Sequence, residues 1–508
     1  MSVKIRQQSI ISSLVIYFGF AIGLLNTYFF TKEGLFTSAE YGLTKIFIDI
    51  ATLIASLSTF AMPGFIYKFY PYYNDNLKPR ESDMLAWAVL VSIVGFVLIV
   101  FLGWSFKELV YRKYSANSPL FVTYYYWVFP MGLGLTLYNV FEAYAWSLHK
   151  SILTNFVKEV EWRLLTTIII VLFFFNVIPD FDTFIKLYAF TYLGIALTLL
   201  IYILVTKKAF FVFRISKVTR RFIKKITRFC FFIYSGGLIF TLAQVFDSFV
   251  IGAVLDNGME KVGIFSLAYI LTSLIQAPQR GIIAASVAHL AQAWKNKNLQ
   301  TIQTIYQRSS INQLIFASFM LVLITLNYQN AVIAFKLKPE YLLGFHAFII
   351  LGLMRLVDMG SGVNAQIIGT SNYWKFELFS GVVLLLLMLP LNYFLTKKLD
   401  ILGPALANLL SMTVYNLIRI VFLWKKYRLF PFTPKSVHTI NLALGVFLVT
   451  WFLFKDWQGF TGLFSRSLFA LVLFCGGIYI LNLSPDVQPV LQSLYQRMRS
   501  ILGKNKKG

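Results

Sequence analysis

Between Leu43 and Ser58, Lys45, Asp49, Thr52 and Ser56 follow at i, i+4, i+7 and i+11. On a helix that spacing sets a cation, a carboxylate and two hydroxyls in one stripe. Comparable sets recur downstream: Thr241, Gln244, Asp247 and Ser248; Ser273, Gln276 and Arg280; Arg355, Asp358 and Gly362 with Asn364; Asn416 and Arg419. The chemistry on offer is binding. An arginine presents planar, paired donors that match a diphosphate, and an aspartate beside neutral oxygens suits a coupling proton or sodium ion. Covalent catalysis and metal chemistry have no such support. Cys230 and Cys475 sit singly in apolar runs, and His149, His289, His346 and His438 are scattered without ligand spacing. No phosphate-binding GxxxxGK[ST] loop occurs, so no catalytic residue, metal or resident cofactor is expected.

The elements that position these stripes are membrane spans. Of 508 residues, 58% are hydrophobic and 13% charged, against roughly 45–50% and about 25% in soluble proteins. A soluble core could not bury that much apolar surface, so the expected fold is an all-α integral membrane protein. Apolar runs lie near 10–30, 42–66, 84–104, 120–148, 153–175, 183–205, 229–254, 262–290, 310–327, 341–369, 376–396, 401–424, 438–454 and 467–483. Each is long enough to cross about 30 Å of hydrocarbon, which gives about fourteen transmembrane helices. The connections are too short to hide a soluble domain. With the N-terminus cytoplasmic, 28 Lys and Arg fall in inside segments and 11 in outside loops, which supports both termini inside. The net charge of +25 then belongs to loops facing an anionic leaflet rather than to nucleic-acid binding.

The chain also repeats itself. Leu193-Gly194-Ile195-Ala196-Leu197 echoes Leu402-Gly403-Pro404-Ala405-Leu406; Asn155 to Lys158 echoes Asn372 to Lys375; Gly42 with Thr52 to Ile54 echoes Gly263 with Ser273 to Ile275. All three pairs lie in chain order at similar offsets, six spans apart. The expected domains are a six-helix bundle over 1–205, a basic linker over 206–228, a second six-helix bundle over 229–424, and two further helices with a basic tail over 425–508. Their pseudo-two-fold axis should lie along the membrane normal.

Charges inside such spans must face one another or water. Six left facing lipid would cost on the order of 15–20 kcal/mol. Lys45 with Asp49 and Arg355 with Asp358 can each be read as a structural salt bridge or as cavity lining. Glu142, Lys158, Glu159, Glu161, Arg163 and Glu377 lie near expected cytoplasmic ends, where snorkelling accounts for them. Arg280 has no local partner and sits well inside its span, two residues after Pro278.

Three segments resemble a known family: Ala61 to Pro71, Asp247 to Ile251 with Val262 to Ala268, and Asn392 with Ile401 to Ala407. They are similar to the Wzx-like oligosaccharide flippases of the multidrug/oligosaccharidyl-lipid/polysaccharide exporter superfamily, over about residues 1–430. The resemblance implies two bundles around a V-shaped cavity that opens alternately to either face of the bacterial inner membrane. It also implies a substrate: undecaprenyl-diphosphate-linked oligosaccharide, turned from the cytoplasmic to the periplasmic leaflet, as in O-antigen and lipopolysaccharide assembly. A polysaccharide polymerase and glycosyltransferases are the implied partners, with membrane lipids. By span and character, Arg280, Arg355 and Lys45 are the implied substrate-binding cations, and Asp247, Asp49 and Asp358 the candidates for coupling to a proton or sodium gradient. The first span carries no charge, unlike lipid II flippases with a basic residue there. A multidrug or small-molecule exporter of the same superfamily, a membrane glycosyltransferase or polymerase, and a non-transporting scaffold are the rival readings.

Overall fold

The computed structural model describes residues 3–207, 210–373 and 375–486; the basic tail residues Arg497, Arg499, Lys504, Lys506 and Lys507 lie outside them. The described residues form helices and no strand. Twelve of the helical stretches are long and apolar enough to cross a membrane, so the expected fourteen is not confirmed. The two that fall short are the fourth and fifth expected spans. The fourth carries Asn139 and Glu142, and the fifth is broken around Lys158, Glu159, Glu161 and Arg163.

One compact unit comprises Met1–Ser266 and Thr396–Asp400. Its helices are α1 Val3–Thr31, α2 Ser38–Ser58, α3 Met62–Asn76, α4 Met84–Ser105, α5 Lys107–Tyr114, α6 Pro119–Thr123, α7 Val128–Ser147 and α8 Ser151–Asn155. After a π-helical turn, Phe156–Glu161, come α9 Trp162–Phe174, α10 Phe181–Ala189, α11 Thr191–Val205, α12 Lys217–Val254 and the start of α13 Gly258–Ile275. The expected linker is thus helical from Lys217 onward. A reciprocal cap starts α2: the Thr37 hydroxyl accepts from the Glu40 N–H at 3.1 Å, and the Glu40 carboxylate from the Thr37 N–H at 2.6 Å. The expected span 42–66 is two helices, because Phe60 and Ala61 turn left-handed (φ 44° and 60°) and Pro63 restarts the chain in α3. Helix α7 packs against α2 and α11.

The repeat-marking glycines meet here. A Cβ on Gly42 of α2 would lie 1.8 Å from the Met259 carbonyl oxygen of α13, and one on Gly263 would lie 2.3 Å from that of Ser38. Only glycine allows that approach.

The second unit comprises Leu267–Leu395 and Ile401–Gly508. It holds the end of α13, then α14 Gln279–Lys295, α15 Leu299–Ala334, α16 Gly344–Gly360, α17 Asn364–Gly369, most of α18 Lys375–Leu399, α19 Leu402–Tyr427, α20 Pro434–Phe454 and α21 Gly459–Ile480. The expected span 262–290 is interrupted between Gln276 and Pro278, where proline cannot donate and α14 begins anew. Two cores organise the unit. Val322, Leu326, Val446, Ala470 and Phe474 join α15 to α20 and α21, while Leu290, Tyr306, Ile367 and Leu423 join α14, α15, α17 and α19. The last two helices are further pinned by buried Arg466, which donates to the carbonyls of Leu326 (2.8 Å) and Trp457.

Candidate functional site

In the first unit the stripe on α2 faces α12. The Thr241 hydroxyl donates to Ser56 at 3.0 Å, and Ser248 interacts with the Asp49 carboxylate. The two contacts are seven residues apart on each helix, which fits an antiparallel register, two turns of one polar face against two of the other. Lys45 lies one turn from Asp49 and interacts with it through space, with its ammonium over the Tyr41 ring at 5.0 Å. No contact ion pair joins them. Asp247, buried to 5% exposure, precedes Ser248, while Gln244 is exposed. The structure therefore brings Lys45, Asp49 and Ser248 together, with Asp247 adjacent in sequence.

A second polar cluster occupies the π-helical turn and its neighbours, and sequence reasoning missed it by reading these charges as snorkelling. Arg163 pairs with Glu159 at 2.5 Å, and Lys158 lies 3.9 Å from Glu142. Tyr138 donates to Glu142 at 3.1 Å and Thr198 to Glu161 at 2.6 Å. Helix α1 crosses this turn through Gly19 and Gly23: a Cβ on Gly19 would lie 2.3 Å from the Glu159 carbonyl oxygen, and one on Gly23 would lie 2.8 Å from the Arg163 Nε. The legible signal was the GxxxG spacing of those two glycines, which marks a close helix crossing. Arg163 also bears on Lys45 electrostatically, so this cluster belongs to the same polar interior.

In the second unit a chain of amides runs through the break between α13 and α14. Gln276 donates to Gln279 at 2.6 Å, Gln279 to Asp358 at 3.1 Å, Asn416 to Asp358 at 3.3 Å and Asn364 to Asn416 at 2.8 Å. Asp358 is thus held by two amides and forms no contact pair with Arg355. Arg355 is 7% exposed, stands over the Tyr269 ring at 5.4 Å, and has a buried Nε without a partner. Arg280, next to Gln279, is exposed in the first turn of α14 and makes no hydrogen bond to the carbonyls around Pro278. Its cation adds to the positive end of the helix dipole. Two unpaired arginines flanking an amide network suit an anionic group carried on a hydroxyl-rich body. Among the described residues no three His, Cys, Asp or Glu side chains converge as a metal site.

Arg419, beside Asn416 on α19, is buried. It pairs with Glu377 at 2.5 Å, donates to Ser380 at 3.1 Å and stacks 3.7 Å from the Tyr415 ring centroid. Its side chain is 3% exposed and that of Glu377 29%, so removing it leaves a half-buried carboxylate without its partner. Arg419→Ala is expected to cost about 1.5–3 kcal/mol, the scale of a hydrogen bond to a charged group, read as a lower melting temperature in detergent; an unchanged melting temperature would show the pair to be inert.

The sequence model of a family described as polysaccharide biosynthesis protein matches residues 5–288. No curated protein matches the sequence. Among solved structures the chain is similar to a lipid II flippase, MurJ, in an inward closed conformation, with TM-score 0.73, 14% identity, and 93% of this chain and 98% of that one covered. It is also similar to an inward-facing multidrug resistance MATE family transporter of the MOP superfamily (TM-score 0.63, 14% identity, 80% and 94% covered). A third is a MOP superfamily transporter from Pyrococcus furiosus, described as having a binding pocket of reversed polarity (TM-score 0.54, 16% identity, 83% and 95% covered). At these identities the likeness carries the fold.

Proposed function

The chain belongs to the polysaccharide biosynthesis protein family, and from that premise we propose that it flips undecaprenyl-diphosphate-linked oligosaccharide from the cytoplasmic to the periplasmic leaflet by alternating access. The observation that carries the reading is the pair of arginines without carboxylate partners, Arg280 and Arg355, beside the amide chain from Gln276 to Asn364. Paired guanidinium donors fit a diphosphate, amides and Asp358 fit sugar hydroxyls, and the polyprenyl tail needs only lipid. Lys45, on α2, is a further candidate substrate-binding cation. Both termini lie in the cytoplasm of a bacterial inner-membrane protein, as the loop charges favour, and a polymerase and glycosyltransferases act before and after it.

Depleting the protein should therefore remove surface polysaccharide while unpolymerised lipid-linked repeat units accumulate. Extraction and mass spectrometry of the lipid-linked pool check this. A depleted strain that lacks the lipid-linked unit altogether would point to a glycosyltransferase instead, and normal polysaccharide would reject transport.

Coupling to a proton or sodium gradient is placed by this reading on Asp49 and Asp247, where Ser248 supplies a neutral oxygen; Asp358, held by neutral amides, is the counterpart in the second unit. Asp247→Asn is expected to lower transport roughly tenfold or more, the scale of losing one charged interaction, with protein level unchanged. An active Asn variant with the same ion dependence as the parent would remove Asp247 from coupling.

A further inference from the structure

Helix α12 contains 38 residues, about 57 Å at 1.5 Å per residue, against about 30 Å of hydrocarbon. Several of its turns therefore project beyond the hydrocarbon core, and the N-terminal ones are both basic and greasy: Lys217, Arg220, Arg221, Lys224, Lys225 and Arg228 are interleaved with Val218, Phe222, Ile223, Ile226 and Phe229. This end is clamped to α3 and α4. Buried Asp83 accepts from the Ser216 N–H at 2.8 Å and from the Thr219 hydroxyl at 2.7 Å, and Tyr73 shares a hydrogen bond with Thr219 at 2.7 Å.

Behind the clamp, α3, α4 and α12 enclose an apolar cavity of about 680 Å³, lined among others by Met62, Phe65, Trp87, Ile223 and Cys230. That volume falls within the roughly 300–1,000 Å³ of small-ligand sites. Ile215 and Arg220 line both this cavity and a second pocket of about 430 Å³, whose other walls are Arg214, Lys217 and Arg221. Among the described residues none of these four cations is in an ion pair. The Trp87 side chain is part of the apolar wall. An apolar slot and a mouth of four unpaired cations together describe an amphiphile with a negative head.

We propose that this groove is a binding site for an anionic glycerophospholipid. An acyl chain occupies the apolar cavity beside the Trp87 ring, and the phosphate lies among Arg214, Lys217, Arg220 and Arg221. A bound lipid fills the space between α12 and the α3–α4 pair, and so fixes the helix that carries Thr241, Asp247 and Ser248.

The test uses the whole protein in vesicles containing phosphatidylcholine or phosphatidylglycerol brominated on the acyl chains, with tryptophan quenching as the readout. Brominated phosphatidylglycerol should quench more than brominated phosphatidylcholine at equal mole fraction. The excess should vanish in Trp87→Phe, and the preference should fall roughly fivefold for each charge removed in R220Q/R221Q. Both of those cations are exposed, so that variant should remain monodisperse. Should Trp87→Phe fail to fold, native mass spectrometry of the parent and R220Q/R221Q makes the same comparison. A phosphatidylglycerol adduct retained by the parent and lost from the variant supports the site. Equal quenching by the two lipids, equal adducts, or displacement by an equal amount of undecaprenyl phosphate overturns it; the last outcome would reassign the groove to the transported lipid.

Discussion

Arg280→Ala and Arg280→Gln abolish polysaccharide export while the protein stays at its normal level in the membrane: this is the largest functional effect the proposed site implies. Each charge-assisted hydrogen bond to a phosphate is worth about 1.5–3 kcal/mol. Losing a forked pair of about 3 kcal/mol reduces substrate capture more than roughly a hundredfold. Arg280→Lys keeps the charge but not the fork, so partial activity is expected. Folding should be indifferent. The side chain is exposed and unbonded in the first turn of α14, where a cation opposes the helix dipole by about 0.3–1 kcal/mol. The check measures surface polysaccharide and protein abundance together in a complemented deletion strain. Normal export by an abundant Ala variant would remove Arg280 from the site.

The largest structural effect is expected at Gly42. Its position leaves no room for a Cβ beside the Met259 carbonyl, and Gly263 makes the reciprocal approach to Ser38. The atoms in the way are backbone, which no rotamer change relieves, so Gly42→Leu must separate α2 from α13. A cost of about 4 kcal/mol or more should empty the membrane of folded protein. Gly445→Ala is the matched control. Nothing lies within 4 Å of a Cβ there, and alanine in a helix gains about 0.5–1 kcal/mol over glycine. Melting temperatures in detergent, with membrane abundance, separate the two; an abundant Gly42→Leu protein with the parent's melting temperature would refute the close-packed reading.

Helices and their lipid surroundings were legible because an apolar run of twenty residues has few other physical outcomes. Breaks were legible only where a residue forces them. Pro278 announces the end of α13, whereas the turn after α2 falls at Phe60 and Ala61, whose positive φ values no side chain advertises. The echo of Gly42 in Gly263 was visible as a repeat, but that the two glycines pack against each other depends on a helix crossing that sequence does not encode locally. The same limit governs the polar groups. Lys45 and Asp49 share a face by spacing alone, yet the Ser248 partner follows from the register of α12 on α2. Arg419 and Glu377 are 42 residues apart, and a span-end position made snorkelling the natural reading of Glu377 until packing showed it paired with buried Arg419. Glu159 and Arg163 sit at i, i+4 and were readable as a pair.

Leaflet exchange of a lipid-linked oligosaccharide is measured directly by reconstitution. Undecaprenyl-diphosphate-linked oligosaccharide carrying a fluorophore on the sugar is incorporated into liposomes with or without the protein, and dithionite is added outside to bleach whatever sugar faces out. Protein-free liposomes should lose only the outer-leaflet share of the signal. Liposomes containing the protein should lose nearly all of it, and those containing Arg280→Ala should behave as protein-free. Retention of the inner-leaflet signal by correctly inserted, folded parent protein, with any imposed proton or sodium gradient, would contradict the claim.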